Sequence, residues 1–160
     1  RRTVVMTETI PEILNICDRH AERLAWAMSQ LQTHVPFTKQ TLSSLSPVEV
    51  AILDQFSTRF GKLQELMGAK LFSAALELTK EPGELKAFID KVYRLEKIGA
   101  IASADEWLLM REVRNAFSHD YPEDLELQAA MLNKAFDLAA QLLAVLSGIK
   151  RFIKPYLRTP

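Results

Sequence analysis

Apolar side chains recur at spacings of three and four along most of the chain, the repeat of one helix face. Ile13, Ile16, Cys17, His20, Leu24, Ala27, Met28 and Leu31 form the first such stripe and predict a helix from Pro11 to His34, closed by Pro36. A polar connection is expected over Phe37 to Leu45. Ser46-Pro47-Val48-Glu49 then reads as an N-cap serine, a proline at the first helical position and a capping-box glutamate. The stripe that follows (Ala51, Ile52, Phe56, Phe60, Leu63, Met67, Leu71, Leu76) carries a second helix to about Leu78, with Gly61 and Gly68 as weak or close-packing points. Glu81-Pro82-Gly83 breaks it. A third helix is predicted over Glu84–Ile98, with Gly99 as its C′ residue. Ser103-Ala104-Asp105-Glu106 is a second capping box and opens a fourth helix through about Ser118, before Pro122. A fifth helix has Glu123 and Asp124 in its first turn, and Gly148 is its expected break.

No segment alternates apolar and polar residues over a useful length, and no internal repeat is present. The pattern predicts an all-α fold, an up-and-down bundle of about five helices around a four-helix core. Residues 1–10 read as an N-terminal extension, with Met6 a candidate natural start that would make residues 1–5 an addition. Residues 11–150 read as the bundle, and residues 151–160 as a basic C-terminal tail.

Composition narrows the chemistry. Of 160 residues, 48% are hydrophobic and 25% charged, ordinary values for a soluble globular chain. Lys+Arg and Asp+Glu number 20 each, which argues against a generic nucleic-acid coat protein. Any contact with nucleic acid must therefore come from a local basic cluster. A lone cysteine, Cys17, precludes an internal disulfide framework and a cysteine metal site, which points to the cytoplasm. No unbroken apolar run reaches the roughly 18–20 residues of a membrane span, so no membrane association is expected.

The end of the fourth helix departs from the usual mix of Glu and Lys. On a wheel of about 100° per residue with Arg114 at zero, Ser118 lies at about 40°, Arg111 at about 60°, Asn115 at about 100° and His119 at about 140°. Leu109, Met110, Val113, Ala116 and Phe117 take the opposite arc. An arginine can clamp a phosphate with two N–H groups, and a histidine can move protons near neutral pH. A solvated polar face is the commoner explanation of such a pair when it stands alone. On an ideal helix Arg114 and His119 also diverge. They could cooperate through a distorted helix end or across two copies of the chain, and the sequence leaves both open.

Arg114-Asn115-Ala116-Phe117-Ser118-His119-Asp120-Tyr121, followed by Pro122, resembles the R-N-x-x-x-H-x-Y signature of HEPN domains. More narrowly it is similar to the HepT-like toxins that pair with minimal nucleotidyltransferases. Leu95–Ile101, Ala104–Trp107 and Asp54–Gln64 are similar to that group as well, and the likeness covers roughly Ser46 to Leu146. The resemblance implies a helical bundle that forms homodimers, and larger assemblies with an antitoxin. It implies a metal-independent endoribonuclease with RNA as substrate and no cofactor. Arg114 would bind the scissile phosphate, and His119 would act as general acid or base towards the ribose 2′-hydroxyl. Asn115, Arg111 and Ser118 would support the phosphate. Tyr121 would receive AMP from the nucleotidyltransferase, blocking RNA by charge and bulk. The resemblance equally admits a non-catalytic partner that presents nucleotide or substrate to a nucleotidyltransferase.

Several other residues carry weaker signals. Arg59, Lys62, Arg94 and Lys97 are candidates, with Arg111, for an RNA-binding cleft. His20 and His34 read as structural histidines, and Cys17 as a small core residue. Trp26 and Trp107 read as packing anchors, with base stacking the second reading for Trp107. Tyr93 is expected to face a basic region, and the Lys150–Lys154 stretch to be solvated, with contact to RNA or a partner its second reading.

Overall fold

The computed structural model describes residues 9–80, 87–117 and 123–157. Their regular structure is all helical, without a strand among them. Helix α1 spans Ile10–Leu31 and ends in a 3-10 turn over Gln32–His34. Its start is fixed by Thr9 and Glu12, which cap each other's backbone N–H groups. The connection expected after Pro36 contains a short helix, α2 (Lys39–Ser43), with its own cap on Thr38. Polar composition hid it, because its stability comes from capping and from docking on the last helix. There Asn133 accepts from the Phe37 N–H at 2.6 Å and donates to the Phe37 carbonyl at 2.9 Å.

Ser46 caps α3 (Pro47–Leu66) through the Glu49 N–H at 3.1 Å, as its sequence predicts. The rod continues through a π-helical turn at Met67–Leu71 into α4 (Phe72–Leu78). Gly68 is buried in that turn. A Cβ there would sit 3.4 Å from the Phe88 ring and 3.5 Å from Trp107, so this glycine permits close packing rather than weakening the rod. Helix α5 runs over Phe88–Lys97. Residues 84–86 of the expected third helix, and the Glu81-Pro82-Gly83 breaker, lie outside the described residues. Gly99 follows with φ +85°, a left-handed turn that disfavours any Cβ.

Helix α6 covers Ala104–Phe117, with Ser103 accepting from the Glu106 N–H at 3.1 Å. Helix α7 spans Leu125–Ile153 and ends in a 3-10 turn over Lys154–Leu157. Asp124 is the N-cap of α7, accepting from the Glu126 N–H at 2.8 Å, so it precedes the first turn rather than lying within it. Gly148 does not break α7. The cost of a helical glycine, about 1 kcal/mol, is outweighed by burial of Leu146, Ile149 and Ile153 around it. Residues 151–153 thus belong to the last helix.

By length and composition α7 is apolar enough to cross a membrane, with a mean hydropathy of 1.4 in its most apolar window. Single polar residues interrupt its apolar run, so the sequence alone does not display this. Its apolar character has an explanation in the bundle, where Leu132, Ala135, Phe136, Leu138, Ala139, Leu142 and Ile149 supply the core.

Helix α1 packs chiefly along α3, α3 along α6, and α7 against α6, α2, α1 and α4. Where α3, α6 and α7 approach one another, Phe56 stacks on Phe136 at 4.3 Å. Phe117 closes edge-on against Phe60 at 5.8 Å, and Phe37 against Phe136 at 5.2 Å. Trp107 is fully buried against Phe72 at 4.5 Å and is the packing anchor expected of it. Trp26 is not: half of its surface is exposed. Its position lies off the apolar stripe of α1, which ring size alone did not reveal. Cys17 is fully buried, and loss of solvation pushes its thiol up to about 12.

Phe56 has no exposed surface and touches rings on two other helices. Phe56→Ala is expected to cost about 3–5 kcal/mol in urea unfolding. A loss under about 1 kcal/mol would show that the rings are not the centre of the core.

Candidate nucleic-acid interface

Phe117, the last described residue of α6, is wedged between Phe56 and Phe60 of α3. That contact fixes the end of α6 against α3 and brings Arg114, one turn earlier, to the seam between them. Gly61 of α3 lies directly beneath: a Cβ there would meet Arg114 Cγ at 3.4 Å. The arginine stem therefore lies on bare helix backbone, and its side chain keeps only 22% of its surface. This differs from the open polar face that the wheel describes.

The guanidinium donates to the Asn115 side-chain oxygen at 2.8 Å and faces Glu65 at 3.9 Å. Glu65 is 72% exposed, so the pair contributes at most about 1 kcal/mol and is easily exchanged for a stronger anion. Asn115 thus holds the guanidinium in place.

Two depressions meet at Arg114 and Glu65. The larger, about 330 Å³, is lined by Ser57, Thr58, Gly61, Lys62, Asn115 and Phe117 together with that pair. The smaller, about 180 Å³, adds Gln64, Gly68, Ala69, Phe88 and Arg111. Arg111 lies over the Phe88 ring at 4.8 Å, a cation–π contact that leaves its N–H edges available. The seam thus presents three cations, Lys62, Arg111 and Arg114, against one carboxylate. Gln64 is 1% exposed, and its side-chain oxygen has no hydrogen-bond partner among the described residues. It adds an acceptor in the wall for a ligand N–H or O–H. The π-helical turn borders the same wall, which is where such turns often sit in functional sites.

The expected site residues divide. Arg111, Arg114 and Asn115 converge on the seam, and Lys62 joins them. Ser118, His119 and Tyr121 lie outside the described residues. Arg59 does not join the cleft, because its guanidinium turns to α1 and donates to His20 Nδ1 at 2.9 Å. Arg94 and Lys97 belong to α5 and line neither depression. Tyr93 donates to Asp105 at 2.7 Å, so it faces a carboxylate rather than a basic region. Lys150 is tied to Asp18 at 2.7 Å, not simply solvated. His34 pairs with Glu49 of the α3 capping box, a structural role. Glu65 and Gln64 escaped notice because nothing in their spacing marks them. The chemistry of the site comes from the α3–α6 contact, which one-dimensional pattern cannot supply.

No protein-family model matches the chain, and neither a curated protein nor a solved structure matches it. Among the motif residues, Arg114 and Asn115 accordingly rest on the geometry of this seam.

His20 accepts from Arg59, so its second ring nitrogen carries the proton and the ring is neutral. Burial first, and then Arg59, Lys62, Arg23 and Arg19, lower its pKa from 6.5. The unfolded chain therefore takes up this proton before the folded one, and stability falls as pH drops below about 6.5. His20→Gln keeps an acceptor for Arg59 but cannot titrate. Its melting temperature is expected to fall less steeply than that of wild type between about pH 6.5 and 5. Parallel curves would remove His20 from the account.

Proposed function

We propose that this chain is a HEPN-type toxin, a metal-independent endoribonuclease in which Arg114 and His119 do the chemistry. The observation that carries the reading is the seat of Arg114. The arginine of the Arg-x4-His motif is held on Gly61, oriented by Asn115, and flanked by Lys62 and Arg111 in an open groove.

A groove of this kind suits a phosphodiester. Arg114 gives two N–H groups to the non-bridging oxygens, displacing Glu65, and stabilises the charge that builds on phosphorus. The ribose 2′-hydroxyl attacks that phosphorus and loses its proton to a general base. The 2′-O–P bond forms as the P–O5′ bond breaks, and the departing 5′-oxygen takes a proton. His119 serves one of these transfers. A second copy of the chain, facing the first, would supply a second motif to the same cleft. A minimal nucleotidyltransferase silences the toxin by placing AMP on Tyr121, adding negative charge and bulk where RNA must approach. On this reading the pair works in the cytoplasm.

The decisive assay is cleavage of a fluorogenic RNA in EDTA, with growth arrest on expression alongside. Wild type should cut and arrest growth, and Arg114→Ala and His119→Ala should each lose about a hundred-fold or more in rate. Wild type that binds RNA or nucleotide but never cuts would mean instead a binding partner for a nucleotidyltransferase. Incubation with the nucleotidyltransferase and ATP should add the mass of one AMP to wild type and nothing to Tyr121→Phe.

A further inference from the structure

A second basic cluster lies on the α1 side of α3, away from the Arg114 seam. With Arg19 at zero on the wheel of α1, Arg23 falls at about 40° and Trp26 at about −20°. The three form one exposed stripe about 10 Å long. His20 lies inward at about 100°, where it meets Arg59 of α3. Lys62, one turn further along α3, is close enough to press on the same imidazole and also lines the Arg114 groove. Cations therefore lie on α1, on the α3 ridge and, beside Glu65, in the seam with α6.

Three features mark this surface as made for a ligand. Among the described residues, none of Arg19, Arg23, Arg59 and Lys62 has a carboxylate within ion-pair distance. In a chain with 20 basic and 20 acidic residues, such a run of unpaired cations is a local concentration of charge rather than a general excess. Arg59 is only partly buried, and its bond to His20 Nδ1 at 2.9 Å presents it on this surface as a fixed cation. Trp26, half exposed and one turn beyond Arg23 on the same stripe, offers a flat apolar face beside the charges.

We propose that Arg19, Arg23, Trp26, Arg59 and Lys62 form a track for single-stranded RNA that leads the strand across α3 to Arg114. The cations hold successive phosphates, and Trp26 stacks on an unpaired base. A duplex hides its base faces, so the exposed ring selects single strands. The inference deepens the ribonuclease reading and rests on it for the polymer's identity, though it concerns binding outside the reacting groups. His20 keeps Arg59 in place and is a positioning residue.

The test uses the intact chain and a fluorescein-labelled, fully 2′-O-methylated single-stranded RNA of about a dozen nucleotides, which cannot be cut. Anisotropy is read across a salt series for wild type, Arg19→Ala/Arg23→Ala and Trp26→Ala, with circular dichroism to verify folding. All three changed residues are exposed. The double variant should bind about ten-fold or more weakly, with a salt slope shallower by about 1.4, the value for two lost phosphate contacts on a single strand. Trp26→Ala should weaken binding about five-fold or more and abolish RNA quenching of tryptophan fluorescence, since Trp107 is buried. A duplex of the same sequence should bind wild type more weakly and show no dependence on Trp26. Wild-type affinity and salt slope in the double variant would overturn the track. If that occurs while His119→Ala still abolishes cleavage, the ribonuclease reading survives and only the track fails. Loss of binding in the α1 variants of a chain that never cuts RNA would uphold the track and sink the nuclease.

Discussion

Five phenylalanines, Phe37, Phe56, Phe60, Phe117 and Phe136, lie ring against ring where α3, α6 and α7 meet. Each buries large apolar area, and offset or edge-on pairs add about 0.5–1.5 kcal/mol beyond burial. Their consequence for function is positional. Phe117 pins the end of α6 to α3, so the polar residues one turn before it have a defined register against Gly61. Without that pin Arg114 would project from a fraying helix end. With it, the arginine lies in a seam with fixed neighbours, and a terminal helix turn becomes a site.

Much of this organisation is written in the chain. The Ser46 and Ser103 caps and the glycine at position 99 act through local backbone chemistry, and a sequence displays local chemistry directly. Two failures are instructive. Trp26 was expected in the core because of its size, but a helix buries a residue by its angle and not by its volume. Arg59 was expected with Arg111 in a basic cleft because of its charge. Its angle on α3 instead turns it to α1, where a histidine accepts from it. The α2 helix was missed for a third reason, since its stability comes from a cap and from the Asn133 clamp rather than an apolar stripe. Within the candidate site, the residue types were legible but their company was not. Glu65, Gln64 and the bare backbone at Gly61 enter only when α3 and α6 are laid side by side.

Charge follows the same logic. A chain with balanced totals can still be strongly polarised at short range, since screening limits each cluster to about 8–10 Å. Here α1, α3 and α6 gather cations on one side of the α3 ridge and in the seam beyond it. The weak, exposed Glu65 pair holds the Arg114 guanidinium only loosely.

The central claim is that Gly61 seats Arg114 for a phosphate. Gly61→Leu tests it most directly, because the new side chain fills the floor of the groove at Arg114 Cγ while improving the helix by about 0.5–1 kcal/mol. RNA affinity and thermal stability would be measured together on the same preparation. The account predicts a ten-fold or greater loss of affinity with an unchanged or raised melting temperature. Undiminished affinity would contradict it.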